Sequence, residues 1–435
     1  MISILGLLFG LCLLVYLTMR GVELLVAAPL CAMLVAVTSG FALFPQVATA
    51  DAPNFTGAYM DGFVGFVKTW FFMFLLGSLF GKVMEASGAA DSVAAWVVQT
   101  LGARHAVAAV VLACAVLTYG GVSLFVVAFS VYPMALSLFR VADVPRRFIP
   151  ATLAFGSVTF TMTSAGSPEI QNWIPTKHLG TTPYAAWEVS LVVALVMAGL
   201  GYAWLAWMIR RANAAGERFE SRAGDPEIET RALPTLAQGL IPLACVLIVS
   251  FALHAQLKES ALIVALGAGV IAGLVLNPRT WTKATLTNIT TVGALGALIA
   301  IANTAAVVGF GGVAKLTGGF QAAVDVMTSM PGHPLLGAAI AVSVIAGLTG
   351  SASGGQTIAL PLIAPHYIDS GVDPEALHRV VSISSGALDT LPHNGYVVTT
   401  VRAICQESYP AAYPALAALT VIVPIVGTVL AIILL

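Results

Sequence analysis

Charge is what this chain has least of. Asp, Glu, Lys and Arg make up 9% of its 435 residues, while hydrophobic residues make up 59%. A soluble domain carries roughly 25% charged residues, so a soluble globular protein is excluded. The two signs nearly cancel, leaving a formal net charge of −1, which argues against nucleic acid or an acidic polymer as partner. Cysteine is scarce too. Cys12, Cys31, Cys114, Cys245 and Cys405 lie in or near apolar runs without metal-ligand spacing, and read as free core thiols. No nucleophile–base–acid arrangement or His/Cys/Glu cluster stands out, so the sequence reads as a non-enzyme without cofactor. Gly309-Phe310-Gly311-Gly312 lacks a following Lys-Ser/Thr pair, which excludes a phosphate loop.

What the chain has instead is apolar length. Runs of about 18 residues or more recur throughout, each enough to cross about 30 Å of hydrocarbon. The first run, 2–18, precedes the first positive charge, Arg20. A cleaved signal peptide carries its positive charge first, so this run reads as a retained span. One linker stands out: residues 210–234 hold ten of the 39 charged residues, five Arg and five acidic. Its mixed charge reads as a solvated cytoplasmic loop between a first half, 1–209, and a second, 235–435.

The halves repeat each other. GKVMEASG at 81–88 aligns with GGVAKLTG at 311–318, LTYG at 117–120 with LTGS at 348–351, and PYAAW at 183–187 with YPAAY at 409–413. The three matches keep their order at offsets of 230, 231 and 226, as in transporters built from internal repeats. Expected spans are 2–18, 22–44, 62–83, 148–181 (broken) and 186–209, then 235–253, 260–276, 286–310, 376–404 (broken) and 411–434. Between the third and fourth spans lie an amphipathic helix, 85–101, and two short apolar arms, 106–117 and 122–138. The arms read as a re-entrant hairpin at about 106–138, with two tilted full spans as the alternative. A second hairpin at about 335–369 has its tip at 350–355.

Orientation follows from Lys and Arg. With the N-terminus outside, 14 of 19 basic residues fall inside, among them Arg20, Lys82, Arg104, Arg140, Arg146, Arg147 and the linker arginines. Lys68, Lys177, Lys258, Lys315 and Arg379 fall outside or near the outer face. Five spans per half is odd, so the halves must be inverted and the hairpins must enter from opposite faces. The expected fold is an all-α polytopic membrane protein: two inverted-topology repeats of five spans each, with re-entrant hairpins, broken helices and both termini periplasmic.

Two stretches put helix breakers and polar residues deep in apolar segments: 163–168 (Thr-Ser-Ala-Gly-Ser-Pro) and 389–395 (Asp-Thr-Leu-Pro-His-Asn-Gly). Lipid cannot satisfy backbone freed by a break, so breaks persist where they line a cavity or meet a ligand. Paired breaks point to a solute site near the midplane. Both tips and both breaks would converge there. The candidate substrate residues are Gly120, Gly121 and Ser123 at the first tip, and Ser164, Gly166 and Ser167 at the first break. At the second tip they are Ser351, Ser353, Gly354, Gly355 and Gln356, and at the second break Thr390, His393 and Asn394. Half-helix N-termini carry partial positive charge and favour a small organic anion. Freed carbonyls equally suit Na⁺, near Ser164, Asn172, Ser351 and Asn394. Close helix packing is the other use of such small residues. Asp389 and His393 read either as a proton-coupling pair or as a helix cap and a backbone-bonded neutral imidazole. Glu169 reads as a second proton carrier or a first-turn acid.

At these residues the chain resembles the gluconate permease (GntP) family of the ion transporter superfamily. The resemblance runs from about residue 71 to the C-terminus. It is carried by GSASGGQTIALP at 350–361, LHR at 377–379, SSGALDTLPHNG at 384–395, GSPEIQN at 166–172 and GTTP at 180–183. These look most like the branch associated with 3-hydroxybutyrate uptake. The resemblance implies inverted repeats, two hairpins, an elevator-like transport domain, a homodimer in the bacterial inner membrane, and cation-coupled uptake of small hydroxy acids. Gluconate-type members typically have a Pro- and His-rich first break. The Ser164–Pro168 stretch offers fewer side-chain donors, which fits a short hydroxy acid better than a polyhydroxylated one. The expectation is an H⁺ symporter for a short hydroxycarboxylate such as 3-hydroxybutyrate, with Na⁺ as the rival ion and an uncoupled channel as the rival class.

Overall fold

Apolar runs that cannot lend their backbone to solvent have become helices throughout. The computed structural model describes residues 2–45, 52–101, 105–222, 233–258, 260–328, 330 and 332–435. The first half holds α1 (Ile2–Met19), α2 (Leu24–Thr38), α3 (Phe55–Ala86), α4 (Ala89–Leu101), α5 (Ala106–Tyr119), α6 (Leu124–Val141), α7 (Ile149–Ala154), α8 (Ile174–Leu179) and α9 (Trp187–Ala214). The second holds α10 (Leu236–Leu257), α11 (Ser260–Leu276), α12 (Lys283–Ala314), α13 (Gly318–Thr328), α14 (Pro334–Thr349), α15 (Ala352–Asp369), α16 (Pro374–Ser385), α17 (Gly395–Val398), α18 (Tyr409–Ala417) and α19 (Val423–Leu434). The succession of long, amphipathic, paired and interrupted helices runs the same way in each. Among the described residues the one β contact is an isolated bridge between Ala42 and Asn54. Six helical stretches among the described residues are long and apolar enough to cross a membrane, and the chain is a polytopic, all-helical membrane protein.

Several boundaries differ from expectation for identifiable reasons. The third span starts at Phe55, not 62, because Asn54 caps it by accepting from Gly57 N at 2.8 Å. The second stops at Thr38, not 44, where the chain turns at Gly40 with φ +78°. The 148–181 segment is less a gapped helix than a collapsed one. α7 runs into a π-helical turn, Phe155–Thr159, and irregular backbone then continues to a 3-10 turn at Ile170–Asn172. In the second half α16 ends at Ser385, irregular backbone follows, and α17 continues as a π-helical stretch, Thr399–Ile404. All five cysteines are free, but Cys12 is exposed, so it is not a core thiol.

α3 and α12 form the backbone-to-backbone seam of the structure. A Cβ on Gly312 would fall 2.4 Å from the Ala58 carbonyl, and one on Gly62 would fall 2.6 Å from that of Val308. Such approach needs glycine. Tyr59 OH donates to Ala306 O at 3.0 Å, and Ser78 Oγ to Gly293 O at 2.8 Å, along the same seam.

The linker is not simply solvated. Its described beginning is tied down: Arg147 pairs with Glu217 at 2.7 Å, Arg218 with Asp143 at 3.2 Å, and Arg222 with Glu407 at 3.0 Å. Glu407 also meets Arg146 at 2.9 Å with both side chains buried. Arg104 and the 223–232 part of the linker, with Arg231, lie outside the described residues. Arg379 is fully buried. Its guanidinium is surrounded by protein acceptors rather than reaching water.

Candidate functional site

Both hairpin tips and both breaks contribute to one cavity of about 750 Å³. The tip between α5 and α6 is buried, and Gly121, at φ +91°, lies against Pro168 and Val246. Tyr119 OH donates to Ala165 O at 2.6 Å, tying this tip to the first break. The second pair is tied the same way: Asn394 Nδ2 donates to Gly350 O at 2.9 Å.

Of the sequence-selected residues, Gly121, Ser123, Glu169, Ser351, Ser353, Asp389, Thr390, His393 and Asn394 line the cavity. The others stand behind its wall. Ser164 Oγ is turned onto its own backbone, donating to Phe160 O at 2.5 Å. The Ser167 carbonyl accepts from Asn172 Nδ2 and Trp173 Nε1 at 3.3 and 3.2 Å, with the whole residue buried. Gly166 N donates to Pro183 O, at φ +79°. Gly120 packs on Leu243, and Gly355 abuts Ala346 between the arms of the second hairpin. Gly354 N is spent on the Ser351 cap, and Gln356 Nε2 donates to Ser385 Oγ at 3.0 Å. The Na⁺ expectation at Asn172 meets a physical objection: its Oδ1 already accepts from Arg379 at 3.0 Å.

Besides the α2 start at Glu23 and Leu24, three further helix starts line the cavity. Ser123, Leu124 and Phe125 open α6, Ser351 and Ala352 open α15, and Asn394, Gly395 and Tyr396 open α17. A helix start carries roughly half a positive charge on its free N–H groups. Ser351 and Asn394 cap their helices with side-chain oxygens, accepting from Gly354 N at 3.1 Å and Val397 N at 2.9 Å. Asn394, not Asp389, is therefore the cap of the second half-helix. Ser123 makes no cap bond, so α6 presents its first amides uncapped. Thr390 Oγ1 is engaged with Thr420 Oγ1 at 2.8 Å.

Four buried atoms on cavity residues lack any hydrogen-bond partner among the described residues: Gln171 Oε1, Asp389 Oδ1, His393 Nε2 and the Tyr396 hydroxyl. Buried polar atoms are rarely left so, and a ligand or ion is one way to satisfy them. The cavity is also lined by exposed Gly21 and Glu23 of the α1–α2 loop, and by Lys82.

Gln171, Lys82 and Arg379 were not selected from sequence. Arg379, on α16, is bonded to the first break from behind, and its neighbours hold the same segment. His378 Nδ1 lies 2.6 Å from Thr181 Oγ1, and Ser382 Oγ donates to Gln171 O at 3.4 Å. The one available signal was the LHR motif itself, whose Arg has no acidic residue within three positions on either side.

A polytopic helical protein with interrupted helices round a largely apolar cavity that holds a few polar groups is built as a membrane transporter. The chain is 36% identical to the uncharacterized transporter YxjC of Bacillus subtilis (strain 168), over 457 residues and 95% of each chain. It belongs to the same transporter family as YxjC, and it is not an enzyme. No family model matches. Its fold is that of the YdaH transporter of Alcanivorax borkumensis, at TM-score 0.56 and 16% identity over 100% of this chain and 98% of that one. It is also similar to MtrF of Neisseria gonorrhoeae, described as illuminating a class of antimetabolite efflux pumps, at TM-score 0.50 and 14% identity over 94% of each.

Proposed function

We propose that this transporter is a secondary active symporter for a small organic anion, a short hydroxycarboxylate such as 3-hydroxybutyrate, within the gluconate permease family. The observation that carries the reading is the meeting of three helix starts with the unpartnered Gln171 Oε1, Asp389 Oδ1 and His393 Nε2 in one cavity. The helix starts supply positive potential for a carboxylate. The acidic and imidazole groups supply a place for the co-transported cation, H⁺ ahead of Na⁺. The two halves are inverted repeats, their hairpins re-entrant. Elevator-like movement of hairpins and breaks against a scaffold of α1–α3 and α10–α12 completes the reading, in a homodimer of the bacterial inner membrane with periplasmic termini. In that orientation the cavity opens inward, past Gly21, Glu23 and Lys82.

Purified protein in liposomes tests it. A proton gradient should drive labelled 3-hydroxybutyrate above its external concentration, and collapsing the gradient should release it. Equilibration without accumulation assigns an uncoupled channel. Accumulation that follows a Na⁺ gradient alone assigns the rival ion, and movement only outward assigns an exporter. A melting-temperature screen of carboxylates identifies the solute, because a ligand that binds the folded state stabilises it by mass action.

A further inference from the structure

The first break is built round a guanidinium from the other half of the chain. Arg379 is fully buried, and each of the five N–H donors of a guanidinium has an acceptor. Nε and Nη2 donate to Ala185 O at 2.9 and 2.8 Å, and Nη2 also donates to Pro183 O at 3.3 Å. Nη1 donates to Thr163 O at 2.8 Å and to Asn172 Oδ1 at 3.0 Å. Four oxygens from the irregular backbone and turns on either side of α8, three of them main-chain carbonyls, converge on a single positive charge. Unwound carbonyls with a side-chain oxygen are the ligand set that a broken membrane helix otherwise gives to Na⁺. Among the described residues Arg379 makes no ion pair, so no contacting carboxylate neutralises it.

We propose that Arg379 is a resident cation of the first break. It takes the oxygens a coupling metal ion would need, so that the first break binds no Na⁺ and lends fixed positive charge to the anion in the cavity beside it. The anion part rests on the function proposed above. The second break, with Asp389 and His393, is then where a coupling ion acts. A purely structural clamp is the competing account, and the two differ in what happens when the charge is removed. His378 and Ser382 still hold the segment to α16, so an emptied oxygen set remains assembled and open to a small cation.

The test compares wild type, Arg379→Gln, Arg379→Lys and Asp389→Asn as full-length purified proteins. Melting temperature is read in NaCl against choline chloride at equal ionic strength. Arg379→Gln is expected to gain a Na⁺-dependent upward shift larger than that of wild type, and to lose about 10-fold or more of its uptake in Na⁺-free buffer. Arg379→Lys keeps the charge and should show no added Na⁺ shift. An equal Na⁺ response in wild type and Arg379→Gln overturns the proposal. Asp389→Asn, with Arg379 intact, should show no Na⁺ shift at all. A persisting shift in that variant overturns the proposal even if Arg379→Gln cannot be purified. None of the melting arms needs substrate. A wild type that binds no carboxylate therefore sinks the transport reading and leaves the assignment of Arg379 to the Na⁺ comparison.

Discussion

Asn394 bonds Gly350 across 44 residues of sequence, Nδ2 to carbonyl at 2.9 Å, and fastens the second break to the second hairpin tip. The same side chain caps α17 through Oδ1. Gly350 permits the approach: at φ +60° it leaves no room for a Cβ beside the His393 ring.

Asn394→Ala should abolish uptake and lower the melting temperature, since the cap alone contributes about 1 kcal/mol. Asn394→Asp keeps a capping oxygen but loses the donor to Gly350. It should retain more stability than the Ala variant and still fail to transport. Wild-type uptake in the Asp variant would show that the tie to the hairpin is dispensable.

Asp389→Asn removes the ionisable group with little change of shape. Uptake should cease to respond to a proton gradient, while exchange of labelled for unlabelled substrate across the membrane continues. Undiminished gradient-driven accumulation would assign proton carriage elsewhere, with Glu169 the next group on the cavity wall.

Ser123 separates binding from stability. Because its side chain makes no cap bond, Ser123→Ala should melt with wild type, within about 0.5 kcal/mol. A fall in substrate affinity would then show that the Ser123 hydroxyl bonds the solute at the α6 start. Unchanged affinity would place the substrate away from the first tip.

Two of the acid–arginine contacts near the linker should behave differently. Glu407→Gln leaves Arg146 buried without its carboxylate, a change that costs about 3–5 kcal/mol when a buried pair is broken. Glu217 is partly exposed, and its hydrogen bond from Arg147 holds its carboxyl below the usual 4.5. Such a depressed group stabilises the fold above the ordinary glutamate range, and that contribution fades as pH falls through the lowered value. Glu217→Gln should therefore cost at most about 1 kcal/mol at neutral pH. Its difference from wild type should vanish in acid, as read by melting temperature across a pH series.

The breaks and tips were legible because Gly, Pro, Ser and Asn inside apolar runs have few other uses in lipid. Which of their atoms face the cavity was not. Ser164 and Ser351 look alike in sequence, yet one bonds its own backbone four residues back and the other opens a helix. The burial of Arg379 was not legible because span counting assigns a basic residue to a membrane side and says nothing of what surrounds it. Its acceptors lie about two hundred residues upstream, beyond the reach of local pattern. The start of α3 was hidden by Thr56, Tyr59 and Asp61, polar residues that apolar-length counting stops at.

The hold of α16 on residues 163–185 has a mechanical consequence. Pulling the two interrupted segments apart would strand the guanidinium N–H groups and the oxygens they serve where no water can replace them. Each abandoned group costs about 1–3 kcal/mol. On the transport cycle proposed above, the walls that the two segments give the cavity are therefore expected to travel together, keeping cargo selected at one wall in register with the other.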